Sequence, residues 1–173
     1  TMDLSPMRTG IVIDTGPLTL YAFSAFQSGR YLPRVRSNIP QQDLSGVTHI
    51  IQNIFSLTRR VFVTAYVMAE FHAIARARGG LNGEGLTQLV ADNMEMLTKL
   101  EESQVGKDDV LGTKGVHSRF SEARELCFAD TSIILSCQQK DAAVLSMDER
   151  LIALCRKLNL PAFHLYYDCY LSF

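Results

Sequence analysis

The chain has 173 residues, 47% hydrophobic and 20% charged, enough for one well-filled core and too few for two ordinary domains. A formal charge of −1 and an isoelectric point near 6.4 exclude a global basic field, so any nucleic-acid contact must come from local clusters. Cys127, Cys137, Cys155 and Cys169 form no C-x-x-C pair, and no run approaches the roughly 18 apolar residues of a spanning helix; these features argue against a zinc site and a membrane span and point to a cytoplasmic, reduced protein.

Ile11, Val12 and Ile13 form a short β-branched run suited to a strand buried on both faces, and Asp14 ends it. Pro17 fits the first turn of a helix, where a missing N–H is tolerated, and Leu18, Tyr21, Ala22 and Phe26 follow at helical spacing. Gln27 to Gln42 holds Gly29, Pro33, Pro40 and three arginines without periodicity and reads as an exposed connection. LSGVTHIIQNIFSLTRR is predicted to be a second helix, with Val47, Ile50, Ile51, Ile54 and Phe55 on one face. VFVT at 61–64 is a second buried strand, and Thr64 is placed to cap the helix AYVMAEFHAIARAR.

Leu86, Leu89, Val90, Met94, Leu97 and Leu100 predict one amphipathic helix from Gly85 to Glu102. Residues 103–118 have three glycines and mixed charge and read as a mobile loop, with a third strand hidden nearby at no assignable place. SEARELCFADTSIILSCQQK then reads as a helix, AAVLSMD as a strand ending at Asp148, ERLIALCRKLN as a helix and PAFHLY as a last strand. Alternating β and α elements imply an α/β fold, helices layered around a central parallel sheet.

Asp14 and Asp148 each close an apolar run, which puts both at the carboxyl edge of that sheet, where ligands bind in open α/β folds. Taken singly, each has an ordinary explanation as a helix cap, and Ser146 with Glu149 forms a capping-box pattern around Asp148. Glu70, beside Val67, Phe71 and Ile74, falls on the border of its helix's buried stripe. Asp130 has Leu126, Cys127, Ile133, Ile134 and Cys137 at helical spacing and so sits inside an apolar face. A buried carboxylate needs a cation or a tight partner, and the structural alternatives are a salt bridge to an arginine such as Arg76 or Arg124 or a hydrogen bond from a nearby backbone N–H. Two strand-end acids and two inward-facing helix acids together suit Mg²⁺ or Mn²⁺. His49, His72, His117 and His164 lack ligand spacing, and no P-loop, G-x-G-x-x-G or Ser-His-Asp order offers a competing chemistry.

The motifs IVIDTGPL, FVTAYVMAEF, FADTSIILSC and VLSMDERL, carrying Asp14, Glu70, Asp130 and Asp148 in that order, resemble those of the PIN-domain nucleases over nearly the whole chain. The resemblance implies a single domain over 1–173 with a three-layer α/β/α sandwich. It further implies Mg²⁺ or Mn²⁺ held by the four acids and metal-dependent cleavage of single-stranded RNA. Ser146 corresponds to a hydroxyl that orients the metal's water or Asp148, whereas the small polar residue usual near the first acid has no clear counterpart in Thr15 or Gly16. Many relatives are toxins of toxin–antitoxin modules, inhibited by a small antitoxin protein and often homodimeric. The long insertion around 27–60 departs from the compact members. Arg30, Arg34, Arg36, Arg59, Arg60, Arg76 and Arg78 are candidates for RNA backbone contacts. The alternatives are a nuclease that matures rRNA or tRNA and a non-catalytic RNA-binding or assembly module.

Overall fold

The computed structural model describes residues 5–35, 38–115 and 125–172. Arg36, His117, Arg124 and the helix start expected at 121–124 lie outside the described residues. Five strands, β1 (Ile11–Ile13), β2 (Val61–Thr64), β3 (Leu100–Ser103), β4 (Ala143–Ser146) and β5 (Ala162–His164), make one sheet in the order β3-β2-β1-β4-β5, every neighbouring pair parallel. Every residue of β1, β2, β4 and β5 is buried, as their apolar sequences require of strands covered on both faces.

The helices are α1 (Ser5–Thr9), α2 (Thr15–Ala25), α3 (Leu32–Val35), α4 (Leu44–Leu57), α5 (Ala65–Ala77), α6 (Gly83–Asp92), α7 (Met94–Leu97), α8 (Lys107–Gly115), α9 (Phe128–Lys140) and α10 (Glu149–Lys157). Right-handed crossovers from β1 to β2 to β3 lay their helices on one face of the sheet, and the return through α9 to β4 and through α10 to β5 covers the other. The result is a three-layer α/β/α arrangement.

Away from the acids, the structure differs from the sequence reading as follows. The helix expected over Gly85–Glu102 breaks at Asn93, whose buried side-chain amide donates to the Ala22 and Leu89 carbonyls, 2.9 Å each. The missing strand, β3, lies in the last residues of that stretch, where Leu-Glu-Glu-Ser at the sheet edge has too little apolar character to be read as a strand. Within 27–42, Leu32, Val35 and Ile39 are buried and α3 forms, so this stretch is more than an exposed connection. Much of the expected 103–118 loop is α8. In α4, Val47, Ile51 and Ile54 are buried as its periodicity predicts.

The turn after α5 depends on having no side chain at Gly79. A Cβ there would lie 2.5 Å from the Ala75 carbonyl oxygen and 2.9 Å from Phe23 Cζ, in a ring that is fully buried. Backbone on one side and core on the other leave no room to relax, so Gly79→Ala is expected to cost about 2–3 kcal/mol in urea unfolding.

Candidate active site

From β1 the chain moves first to β2 on one side and later arrives at β4 on the other. Beyond the carboxyl ends of β1 and β4 this reversal opens the crevice where α/β sheets bind ligands. Asp14 emerges from β1 at that point, and Ser146, Met147 and Asp148 emerge from β4, with the Asp14 N–H donating to the Leu145 carbonyl at 3.0 Å.

Asp14 caps α2: its Oδ1 accepts from the Thr15 N–H at 2.6 Å. The Ser146 hydroxyl, fully buried, donates to Asp14 Oδ2 at 2.5 Å and accepts from the Asp148 N–H at 2.9 Å. One hydroxyl therefore ties the ends of β1 and β4 together. Thr15 Oγ1 donates to Glu70 Oε2 at 2.6 Å, which brings the exposed carboxylate on α5 into the same chain of contacts.

A second hydroxyl pair fixes α9 against β2. The Ser132 hydroxyl donates to the Ala129 carbonyl at 2.7 Å, so the buried contact of 2.7 Å with Thr64 is made by the Thr64 proton. Thr64 Oγ1 also accepts from the Val67 N–H at 3.3 Å and caps α5 as its sequence predicts.

Asp130 does not sit in mid-helix as expected. Because α9 begins at Phe128, Leu126 and Cys127 precede it, and Asp130 is half-buried in the first turn. Its carboxylate accepts from the Cys127 N–H at 3.2 Å while Cys127 Sγ accepts from the Asp130 N–H at 3.4 Å, a reciprocal capping box with cysteine in the cap. Asp148 is itself the cap of α10, its Oδ1 accepting from the N–H groups of Arg150 at 2.7 Å and Leu151 at 3.2 Å, and it is exposed. The Ser146–Glu149 capping box expected there does not form, since Asp148 is the cap and the Ser146 hydroxyl accepts from the Asp148 N–H instead.

Three of the four acids thus serve helix N-termini, whose N–H groups and dipole favour negative charge. Capping explains these three locally and leaves the convergence of all four unexplained: Asp14, Glu70, Asp130 and Asp148 line one cleft of about 660 Å³, together with Thr15, Asn38, Arg78 and Arg150.

Burial pushes the Asp14 carboxyl up to about 7, against the Ser146 and Thr15 hydrogen bonds that lower it, with Asp130 and Glu70 adding repulsion. Asp130 is also raised, again mainly by burial, with Asp148 and Glu70 contributing. Among the described residues, ion pairs join Arg60 to Glu101, Lys99 to Glu95 and Arg156 to Asp168, and none includes any of the four acids. Arg76 is therefore not their counter-ion. The four acids therefore share a cleft without a direct ion pair among the described residues, although Arg78 and Arg150 stand on its walls.

The charge of these acids, and the all-oxygen donor set, fit a hard divalent cation. Each Asp14 oxygen makes one protein hydrogen bond and keeps a second lone pair, and the cleft has room for an ion that retains its waters. Among the described residues no three His, Cys, Asp or Glu side chains are grouped closely enough to hold an ion directly as they stand, so water-bridged contacts suit the spacing better than a closed cage.

Thr15 is the residue that sequence reasoning missed. Its signal was available, a hydroxyl immediately after a strand-end Asp, but its partner Glu70 lies 55 positions away. His164 is structural: Nδ1 accepts from the Tyr166 and Tyr167 N–H groups, so Nε2 carries the proton and donates to the Met147 carbonyl at 3.0 Å. Burial pushes the Cys127 thiol up to about 11, which favours its protonated form near neutrality. Among the described residues no helix is long and apolar enough to cross a membrane. No protein-family model matches the chain and no curated protein matches it, so the functional reading rests on these residues themselves.

Proposed function

We propose that the chain is a divalent-metal-dependent endoribonuclease of PIN-domain type that hydrolyses phosphodiester bonds of single-stranded RNA. The observation that carries this reading is the convergence of four carboxylates from four separate elements on one cleft, without a described basic partner for any of them. Bound Mg²⁺ or Mn²⁺ supplies the positive charge that admits a phosphodiester to an acidic cleft and lowers the pKa of the attacking water. Asp14, Asp130 and Asp148 would hold the ion through bridging waters, with Glu70 completing the set. Ser146 fixes the orientation of Asp14 and Thr15 that of Glu70, each through a single hydroxyl proton. Arg78 and Arg150 at the cleft walls meet the charge of the substrate backbone.

The test is cleavage of a mixed single-stranded RNA panel in Mg²⁺, Mn²⁺ or EDTA, with Asp130→Asn beside the wild type. Metal-dependent cutting that falls by about 100-fold or more in the variant supports the nuclease. Equal cutting by both proteins, or none by either, rejects it in favour of a binding module. Growth arrest on expression, relieved by a small neighbouring protein, identifies a toxin; accumulation of unprocessed rRNA or tRNA on deletion identifies a maturation enzyme.

A further inference from the structure

Of the arginines considered as RNA contacts, those among the described residues do not share one location. Arg59 and Arg60 precede β2, at the end of the sheet opposite the carboxylates, and Arg60 is paired with Glu101. Arg30 and Arg34 lie instead on the insertion, and two independent links join them to the cleft. On one side, Asn38, shortly after α3, lines the cleft. On the other, Arg78 lines it, and the Arg34 guanidinium reaches Gly80, two residues further on, where a Cβ would lie 3.7 Å from Nη1.

Between the two arginines stands Tyr31. Its ring packs against Phe26 at a centroid distance of 5.3 Å, while the Arg34 guanidinium lies 5.0 Å and the Arg30 guanidinium 6.0 Å from its centroid. Both arginines are exposed, and among the described residues neither they nor Arg78 has a carboxylate partner. The turn that presents them is strained: Gln27 (φ 45°) and Ser28 (φ 56°) hold left-handed conformations just before Gly29 (φ 76°), and the Gln27 N–H donates to Asp92 at 3.4 Å. Two non-glycine residues in that region cost about 1–3 kcal/mol each, strain that folds tend to keep where a turn presents a functional group.

We propose that Arg30, Tyr31 and Arg34, continuing through Arg78 into the cleft, form the track that grips the single strand leading away from the scissile phosphate. The inference rests on the ribonuclease reading for its direction along the strand, while the binding it describes is measurable without catalysis. Guanidinium groups meet successive phosphates, and the planar Arg34, braced on Tyr31, offers an unpaired base a face on which to stack. A duplex has no free base to offer such a face, which selects single strands.

The experiment measures binding of a fluorescent 12-nucleotide single-stranded RNA in EDTA, across a salt series, to the full chain. Arg30→Ala/Arg34→Ala is expected to weaken binding by about 10-fold and to lower the slope of log Kd against log salt by about 1.4, two phosphate contacts at about 0.7 each. Tyr31→Ala is expected to weaken it as well, and Tyr31→Phe, which keeps the ring, to restore it. Arg60→Ala, which removes one charge at the opposite end of the sheet, controls for general electrostatics. Equal affinity in the wild type and the double variant, a loss as large in Arg60→Ala, or no binding by the wild type overturns the track. Binding that depends on the two arginines in a protein that cuts no RNA with Mg²⁺ or Mn²⁺ upholds the track and overturns the nuclease.

Discussion

Asp14→Asn is expected to remove metal-dependent RNA cleavage by at least about 100-fold while making the metal-free protein more stable at pH 8. The first effect follows from the position of Asp14, the most buried of the four acids and the one held from both sides by Ser146 and Thr15. Groups that merely support a ligand are commonly worth about 10- to 100-fold, and a ligand itself more. The second effect follows from linkage. Burial raises the Asp14 carboxyl from 3.8 to about 7, so the folded state holds its proton more tightly than the unfolded chain. Between those values the folded state binds more protons, and its stability therefore falls as pH rises, by up to about 1.4 kcal/mol per pH unit, then levels off above the folded value. An asparagine does not titrate, so Asp14→Asn avoids that loss; its Nδ2 cannot accept, so one of the hydrogen bonds from Thr15 and Ser146 is given up, which leaves a net gain of about 2 kcal/mol. Urea unfolding of both proteins in EDTA at pH 5 and pH 8 checks this. A variant less stable than the wild type at pH 8 would contradict the account of Asp14 as an acid ionised at the expense of stability. Saturating Mn²⁺ is expected to narrow the gap by stabilising the wild type alone.

Ser146→Ala is expected to reduce cleavage about 10- to 100-fold and to shift the rising limb of the pH–rate profile to higher pH. The hydroxyl contacts both Asp14 and the backbone of Asp148, so its removal loosens the ends of β1 and β4 together. Its hydrogen bond also lowers the Asp14 pKa against the effect of burial, so without it Asp14 ionises later. A purely structural role would change the rate or the stability and leave the pH dependence where it was. The pH–rate profile is thus the deciding measurement, and an unmoved limb sinks the positioning role. Stability is expected to drop by about 2–3 kcal/mol, because the buried hydroxyl leaves the Asp148 N–H and a carboxylate oxygen each short of a partner.

The division between local and long-range information follows from how each residue is held. Strands β1, β2 and β4 were legible because each is a continuous apolar run that ends in a side chain able to cap the next helix, and both the run and the cap are local facts. The edge strand β3 was not legible, since Leu-Glu-Glu-Ser becomes a strand by pairing with β2 rather than by any pattern of its own. The start of α9 was hidden for a related reason: Cys127 in the cap is a weak signal, and apolar residues on both sides of the true boundary continue the helical spacing into 121–126. Asp14 and Asp148 were likewise readable as acids closing apolar runs, whereas Asp130 drew attention for a mid-helix place it does not hold, since it stands in the first turn of α9, and Glu70 is exposed.

What the sequence by itself determined was therefore the alternation of buried strands with amphipathic helices, and with it the parallel sheet and the edge at which Asp14 and Asp148 emerge. The tertiary structure alone decided that Ser146 reaches back 132 positions to Asp14 and Thr15 forward 55 to Glu70, and that Arg34 approaches Gly80 beside the cleft. Strand and helix periods repeat within a few residues and leave a trace in the order of amino acids. A hydrogen bond between distant hydroxyl and carboxylate groups leaves none, because its two partners come together only when the sheet assembles.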